Sequence, residues 1–278
     1  MRAARLARGL SLDVVALAIA AIVFVVPFIF IVVTAGKSRA EASGLDFTLP
    51  SAWQLLENVQ EVIGTRNGLM VTALRNSFVL TVASVALIVL LSAMVGFVLQ
   101  RRRDRVGSLF AALMLAGLII PPAIVPTIYV LQALGLFKTL LGLILVEVVF
   151  LMPFAILIFR TFMSAIPREL DDAAIIDGAS SLTLFFRVIL PLLRPAVITV
   201  IVVASVAIYN DFVNPLYFLP GNDNVTAQLT LFSFQSQFNT RWNLLFADVL
   251  LITIPPLIMF VFFQRQIVSG MTAGAVRG

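Results

Sequence analysis

The chain has 278 residues, of which 61% are hydrophobic and 12% charged, and its mean hydropathy is +1.08. Soluble domains carry about 25% charged residues, so a chain this poor in charge is predicted to lie mostly in lipid. It contains no cysteine and no histidine, which excludes disulfides, thiolate nucleophiles and histidine-based acid–base or metal chemistry. The formal net charge of +5 indicates control of membrane topology rather than nucleic-acid binding, because the basic residues fall between apolar runs.

The N-terminal segment predicts a first transmembrane helix. Residues 14–36 carry no charge, and this run exceeds the apolar core of about 7–15 residues found in signal peptides. We predict a cytoplasmic tail over residues 1–10, a transmembrane helix over 11–36 and an extracytoplasmic loop over 37–70. Within that loop, residues 53–62 are expected to form a short helix.

Further apolar segments predict five more transmembrane helices in a core over residues 71–265, followed by a cytoplasmic tail over 266–278. These helices are expected at residues 76–100, 106–137, 140–160, 196–217 and 243–264. Prolines at 121, 122 and 126 interrupt the run 106–137, which predicts a broken helix facing protein or a cavity rather than lipid. A tight polar turn near residues 135–138 is expected to lead into the next helix.

The basic residues predict the orientation of these helices. With both termini placed inside the cell, 13 of the 19 arginines and lysines fall in cytoplasmic segments. A cytoplasmic excess of basic residues is typical of membrane proteins. The sequence therefore predicts an all-α, polytopic membrane protein with six transmembrane helices and both termini cytoplasmic.

The longest cytoplasmic loop, residues 160–195, predicts two short helices. Pro167 suits the first turn of the first helix, where a missing N–H has no cost, and Gly178 suits its C-terminal end. A serine at position 180 or 181 suits the N-cap of the second helix, and Pro191 is expected to end it.

The first of these helices carries an acidic start and a thin face. Glu169, Asp171 and Asp172 would lie in its first turn, where the helix dipole favours negative charge, and we interpret Asp171 as a solvated charge. The spacing predicts a shared face that a partner could approach closely, made of Leu170, Ala173, Ala174 and Asp177. Local physics alone leaves open whether this is a docking site or an ordinary amphipathic loop at the membrane surface.

The spacing within this loop resembles a known pattern. Asp172-Ala173-Ala174 is followed after three residues by Gly178, and nine residues later by Val188 and then Leu190-Pro191. This resembles the EAA loop of permease subunits of binding-protein-dependent ABC importers, with conservative departures at Asp172 and Val188. Four other stretches resemble the maltose-permease-like carbohydrate branch of these permeases: residues 75–77, 117–122, 166–170 and 270–278.

The resemblance implies the type I ABC importer permease fold. It also implies a transport subunit in the bacterial inner membrane that catalyses no reaction itself. It implies coupling to cytoplasmic ATPase subunits through Glu169, Asp172, Ala173, Ala174, Gly178, Leu190 and Pro191. The chain has no phosphate-binding loop, so ATP and Mg are expected on the partner ATPase and no cofactor or metal on this chain. The other implied partners are a second homologous permease subunit, an extracytoplasmic substrate-binding protein and membrane lipid, with a sugar or related polyol as cargo.

Polar residues near the outer end of the fifth helix are candidates for the substrate path, namely Tyr209, Asn210, Asp211 and Asn214. They could instead hold helices together. The outer loop 218–241 is expected either to reach a docked binding protein or to be an ordinary exposed loop. An alternative function is a stand-alone proton-coupled secondary transporter, which would use the carboxylates within apolar segments, Glu147, Asp211 and Asp248. A membrane enzyme is disfavoured because histidine and cysteine are missing.

Overall fold

The structure, a computed structural model, describes residues 2–102, 104–221, 224–235 and 240–275. Within these ranges the chain forms helices and turns and no β-strand. In chain order the helices are α1 (Arg2–Ala35), α2 (Arg39–Ala42), α3 (Leu55–Gly64), α4 (Leu69–Arg101), α5 (Arg105–Ile119), α6 (Ile124–Ala133), α7 (Leu140–Met163), α8 (Glu169–Ile176), α9 (Ser181–Leu184), α10 (Leu190–Leu192), α11 (Arg194–Tyr209), α12 (Val213–Phe218) and α13 (Trp242–Ala275). Two 3₁₀ segments, Thr65–Asn67 and Ala227–Ser233, and a π-helical turn, Phe185–Ile189, complete the described elements.

Four helices are long and apolar enough to cross a membrane within the described ranges: Val14–Ala35, Leu69–Arg101, Leu140–Met163 and Trp242–Gln264. Two bent pairs raise the number to six if each pair counts as one span. One pair joins α5 and α6 at 115°, and the other joins Ser181–Leu192 to α11 at 76°. The number of candidate spans therefore equals the predicted six when each bent pair is counted as one span.

The break predicted in the third apolar segment is confirmed, but residues 119–123 are exposed in this chain, so the predicted packing of the break against protein stays a prediction. Helix α5 ends at Ile119 and α6 begins at Ile124, so Pro121 and Pro122 occupy the break. Pro126 lies in the first turn of α6, where a backbone N–H has no partner inside the helix, and it is accommodated there without a second break.

The predicted continuous fifth helix over residues 196–217 is wrong. Helix α11 ends at Tyr209, and the separate short helix α12 begins at Val213. The Asp211 carboxylate accepts hydrogen bonds from the N–H groups of Val213 (2.8 Å) and Asn214 (3.3 Å), which starts a new helix. Pro215 has no N–H to continue the earlier ladder, so both residues favour the break.

Other predicted boundaries differ by shorter distances. Helix α1 already begins at Arg2 and α13 continues to Ala275, so helix extends into both predicted tails. Helix α3 corresponds to the short helix expected near residues 53–62. The predicted tight turn before α7 is confirmed, because Gly135 (φ 68°) and Lys138 (φ 64°) both adopt left-handed backbone conformations.

The chain divides into two compact units. One consists of the residues up to Val71 together with Thr230–Ile254. In this unit the buried Asn58 amide donates to the carbonyls of Ala35 (2.8 Å) and Lys37 (2.9 Å). Asn243 in turn donates to Asn58 Oδ1 at 2.8 Å. These hydrogen bonds join α3 and α13 to the end of α1.

The second unit consists of Thr72–Leu229 together with the chain from Pro255 onwards. Its core has α7 as a central element, which packs against α5, α11 and α12. Phe159 of α7 is fully buried, and Gly96 of α4 lies so close that an added Cβ would be 3.1 Å from the Phe159 Cβ. Ile189 and Leu193, from the end of the predicted cytoplasmic loop, are also fully buried in this core.

Candidate functional site

Helix α8 begins as its acidic start predicts. Glu169, Asp171 and Asp172 all lie in the first turn, where the unpaired N–H groups and the helix dipole favour carboxylates. Pro167 does not lie in that turn as expected, but precedes Arg168, whose carbonyl accepts the N–H groups of Asp171 (2.9 Å) and Asp172 (3.1 Å). The helix therefore begins at Glu169, two positions later than the proline alone would place it.

Gly178 ends α8, as the sequence predicts. It has a φ of 80°, a conformation that glycine adopts without the steric cost imposed by a side chain. Its N–H donates to the Ile175 carbonyl at 2.9 Å, and the N–H of Ala179 donates to the Ala174 carbonyl at 2.9 Å. These two bonds form a Schellman motif, which satisfies the last carbonyls of the helix.

The second helix of the loop begins at the predicted cap but does not end where expected. The Ser180 hydroxyl accepts the N–H of Thr183 at 3.3 Å. Pro191 was expected to end the helix, and this is wrong, because helical structure continues to Leu192. A π-helical turn, closed by the N–H of Leu190 on the Phe185 carbonyl, precedes the proline and accommodates its missing hydrogen bond.

The end of α4 anchors α8. The guanidinium of Arg101 forms an ion pair of 2.6 Å with Asp171, and the two side chains are only 16% and 13% exposed. Arg101 also donates to the Ile166 carbonyl at 3.3 Å. The interpretation of Asp171 as a solvated charge is therefore wrong, because its carboxylate is paired and mostly buried. Its partner lies 70 residues earlier in the chain.

A second arginine, Arg168, also joins the start of α8 to the end of α4. Its Nη2 donates to the carbonyls of Gln100 (3.3 Å) and Arg101 (3.2 Å) at the C-terminal end of α4. A cationic side chain is favourable there because the last carbonyls of a helix lack partners and carry partial negative charge. Sequence reasoning singled out neither arginine for this role.

The outer face of the loop is exposed and partly apolar. Ile176 is 85% exposed and Ile175 is 59% exposed, at the C-terminal end of α8. Leu182 at the start of the second helix is 61% exposed. Exposed apolar side chains grouped in this way are typical of a surface that another molecule covers.

The residues predicted to couple to an ATPase fall into two groups. Five of them are exposed: Glu169, Asp172, Ala173, Gly178 and Pro191. Ala174 and Leu190 are partly buried and pack against the hydrophobic core of the second unit. The predicted shared face is thus divided, since Ala174 turns towards the core while Ala173 remains accessible.

The predicted substrate-path residues do not form one continuous helical face. Tyr209 is buried and, with Ser205, lines a cavity of about 780 Å³ whose wall is otherwise almost entirely apolar. The Asn210 amide donates to the Val206 carbonyl of its own helix at 2.9 Å. Because α11 ends at Tyr209, Asp211 and Asn214 lie at the start of α12 rather than on the face of α11.

Asp211 and Asn214 meet Glu147 of α7. The Asn214 amide donates to Glu147 Oε1 at 3.2 Å, and the carboxyl of Asp211 lies against that of Glu147. Glu147 is only 3% exposed, as expected for an ionisable residue in an apolar helix. Asp248, another carboxylate within an apolar segment, is fully buried and accepts a hydrogen bond from the Thr230 hydroxyl at 2.9 Å.

The outer loop is not an ordinary exposed loop in its described part. The Asn76 amide donates to the Val225 carbonyl at 3.1 Å, and the Ser77 hydroxyl accepts the N–H of Ala227 at 2.8 Å. Both side chains are buried, so residues 225–227 are fixed against α4. Residues 222–223 and 236–239 of this loop lie outside the described residues.

Residues 88–273 match the family described as "Binding-protein-dependent transport system inner membrane component". The chain belongs to this family. The diacetylchitobiose uptake system permease protein NgcG of Streptomyces coelicolor is 30% identical, over 92% of this chain and 85% of the relative. The melibiose/raffinose/stachyose import permease protein MelC of Bacillus subtilis is 27% identical, over 100% of both chains.

A solved structure has the same fold. It is the crystal structure of a bacterial ABC transporter involved in the import of the acidic polysaccharide alginate, which matches with a TM-score of 0.80 at 20% identity. The match covers 95% of this chain and 98% of that chain. This similarity confirms the predicted ABC importer permease fold.

The comparisons confirm the predicted class of protein. The chain is a multi-pass permease component of an ABC importer in the inner membrane. The alternative of a stand-alone proton-coupled secondary transporter is not supported, because the relatives are ABC importer permeases along nearly their whole length. A transport subunit is also consistent with the predicted absence of an enzymatic role.

Proposed function

We propose that this permease imports a sugar or a related polyol and is driven by a separate cytoplasmic ATPase that docks on the segment from Pro167 to Pro191. The proposed cargo rests on the relatives, whose names specify diacetylchitobiose and the sugars melibiose, raffinose and stachyose. The proposed docking rests on the loop described above. ATP and Mg would be bound by the ATPase, and this chain would transmit the movement.

The observation that carries the proposal is that α8 is fixed on one side and exposed on the other. Asp171 and Ala174 face the protein, where Asp171 pairs with Arg101. Asp172, Ala173 and Ile176 face outwards. A partner that covers Ile176 would remove a large apolar side chain from water, which favours association.

The anchor also explains how force could be transmitted. The loop after α8 leads into Phe185 and Ile189, which are buried in the core of the second unit. A displacement of α8 would therefore act on α4 through Arg101 and on the bundle through these buried side chains. Rigid-body movement of packed helices is an established basis for switching between two states.

For the substrate path we propose Asn210, Asp211 and Asn214, with Glu147 as an added member and Tyr209 at the border between this path and the apolar cavity that it lines. Hydrogen-bonding groups on a broken helix can serve a polar cargo because irregular backbone at membrane depth is tolerated where it lines a cavity. The cavity beside Tyr209 is less suitable for sugar, because its wall is apolar. That face is better suited to a helix of the second homologous permease subunit, which would complete the pathway, with an extracytoplasmic binding protein delivering the cargo.

The docking proposal is tested by Ile176→Asp in affinity-tagged protein purified from native membranes. We expect the co-purifying ATPase activity to be lost, because the substitution places a charge on the docking face without disturbing a buried contact. Leu49→Asp is the matched control, since Leu49 is 74% exposed and lies in the segment predicted on the opposite side of the membrane. Undiminished ATPase recovery with Ile176→Asp would refute the docking site.

The orientation can be tested separately because the chain has no native cysteine. After removal of the docked ATPase, a single cysteine introduced at Ile176 should react with a membrane-impermeant maleimide only in inside-out vesicles. One introduced at Leu49 should react only in right-side-out vesicles. The reverse pattern would overturn the proposed cytoplasmic position of the loop and of both termini.

A further inference from the structure

An apolar groove lies between the C-terminal end of α4 and the first half of α5. Its volume is about 310 Å³, within the range of about 300–1,000 Å³ found for small-molecule sites. Val95, Val98 and Leu99 line it from α4, and Val106, Phe110 and Met114 line it from α5. Val98, Val106 and Phe110 are each about half exposed, so the groove is open on one side.

The turn between the two helices shapes the mouth of this groove. Asp104 caps α5 by accepting the N–H of Gly107 at 2.8 Å. A Cβ on Gly107 would lie 3.2 Å from the Arg102 Cβ, so glycine allows the Arg102 side chain to lie close to the first turn of α5. Both Arg102 and Gly107 line the groove, which places a guanidinium at the end of an otherwise apolar wall.

The charge at this end is strongly positive. Residues 101–105 contain four arginines and one aspartate. Arg101 is engaged with Asp171, whereas Arg102 is 53% exposed and pairs with Asp104 at 2.7 Å. Arg105 is exposed and makes no ion pair within the described part of the chain.

The remaining hydrogen-bonding capacity fits an anion. Asp104 accepts from Nε (3.1 Å) and Nη2 (2.7 Å) of Arg102 through a single oxygen atom. An arginine side chain has five N–H donors, so Arg102 can bind a second anion without losing Asp104. Guanidinium groups suit phosphate because they offer paired donors in a planar fork.

The position along the helix identifies where this anion would lie. The apolar run of α4 ends at Arg101, so Arg102 and Arg105 lie at the boundary between hydrocarbon and water. Phospholipid headgroups occupy this boundary, and basic pockets between transmembrane helices are typical sites for anionic lipid. The apolar wall begins directly below, where an acyl chain would lie.

We propose that this groove binds one anionic phospholipid, with an acyl chain between α4 and α5 and the headgroup phosphate at Arg102 and Arg105. The site is separate from the sugar pathway and from the docking face of α8. Because Arg101 holds α8 from the adjacent position, bound lipid would brace the same end of α4 to which the loop is anchored.

The test uses the affinity-tagged protein extracted in mild detergent with the chains that co-purify with it, and native mass spectrometry to count retained lipid. Phosphatidylglycerol and phosphatidylcholine with identical acyl chains are the probes, together with inorganic phosphate. We expect one phosphatidylglycerol per chain to be retained in preference to phosphatidylcholine. Each juxtamembrane arginine contributes about fivefold to anionic lipid affinity, so Arg102→Gln and Arg105→Gln should each lower retention by about that factor.

Arg187→Gln is the matched control, because it removes the same charge from an exposed position that does not line the groove. It should leave lipid retention unchanged. Equal retention of the two lipids, or equal retention by wild type and the double Arg102→Gln, Arg105→Gln variant, would refute the site. Competition by inorganic phosphate that fully replaces the lipid would also refute it, since it would leave no role for the acyl groove.

A second measurement does not depend on variants folding correctly. Phosphatidylglycerol with a photoactivatable group on its acyl chain should label peptides that contain residues 94–99 or 106–114 of the wild-type protein. Labelling confined to other segments would overturn the proposal, including the case in which another chain of the transporter covers the groove.

Discussion

Asn214 donates its side-chain amide to Glu147 across 3.2 Å, and this hydrogen bond joins the short helix α12 to the long helix α7. Asp211, which starts α12 by accepting two backbone N–H groups, lies against the same glutamate. The break between α11 and α12 is therefore held by a partly buried polar network in which Glu147 is the buried member. Within a membrane such a network is favoured because unpaired polar groups have no water to bind.

Replacing Glu147 should test the value of this network. Glu147→Leu removes the acceptor for the Asn214 amide, and we expect the free energy of unfolding to fall by about 1–3 kcal/mol. Glu147→Gln retains an amide oxygen as acceptor and should cost less. Thermal unfolding in detergent, followed by circular dichroism, measures both. Equal midpoints for wild type and Glu147→Leu would contradict a stabilising role for this contact.

Features set by local chemistry could be predicted from the sequence. Gly178 ends α8 because its left-handed conformation is a property of glycine itself, and Ser180 caps the next helix with its own hydroxyl. The apolar runs similarly predict the spans, since each reflects the solvent around a single segment. These features can be predicted because each depends only on residues a few positions apart in the sequence.

Features that depend on distant residues could not be predicted in the same way. Arg101 and Asp171 are 70 residues apart, and nothing near Asp171 in the sequence distinguishes it from the exposed Asp172. The break after Tyr209 had a local signal, because Asp211 precedes Pro215 by four residues. The polar residues at this point also fit a helical spacing, so together with the apolar residues on either side they predict one continuous helix.

The ion pair between Arg101 and Asp171 should appear in a double-mutant cycle. Its 2.6 Å distance and low exposure place it between surface pairs and fully buried pairs. We expect a coupling free energy of about 1–2 kcal/mol from Arg101→Ala, Asp171→Ala and the double variant, because the residues are in direct contact. Cleavage by trypsin within the loop should accelerate in each single variant. Strict additivity of the three effects would show that the pair does not anchor α8.

The polar segment after α1 should weaken only in strong acid. Hydrogen bonds from Ser51 and then Ser38 lower the pKa of Glu41 from 4.5 to about 2. Hydrogen bonds from Lys37 and then Thr48 lower the pKa of Asp46 from 3.8 to about 2. Because both pKa values are lower in the folded state, their stabilisation is complete above about pH 4.5 and is lost as the pH falls towards 2.

Hydrogen exchange measures this acid sensitivity. Protection of residues 38–51, corrected for intrinsic exchange, should be constant between pH 5 and 8 and should decrease between about pH 4.5 and 2. Glu41→Gln should reduce the acid-dependent decrease, because its amide does not titrate while Asp46 still does. A loss of protection centred near neutral pH would contradict the assigned cause.

Two buried serines of α4 provide a matched comparison for the outer loop. Ser77 accepts the N–H of Ala227 at 2.8 Å, whereas the Ser92 hydroxyl has no hydrogen-bond partner within the described part of the chain. Ser77→Ala removes a buried hydrogen bond and should lower the free energy of unfolding by about 1 kcal/mol. Ser92→Ala removes the same oxygen atom without such a loss, so its stability should be unchanged or slightly higher.

Local hydrogen exchange distinguishes a fixed loop from a general loss of stability. Ser77→Ala should accelerate exchange at residues 225–227 more than at α7, because the lost bond holds that segment against α4. Ser92→Ala should accelerate neither. Identical exchange at residues 225–227 in the two variants would show that Ser77 does not fix the loop, and the burial of this segment would then depend on its apolar side chains alone.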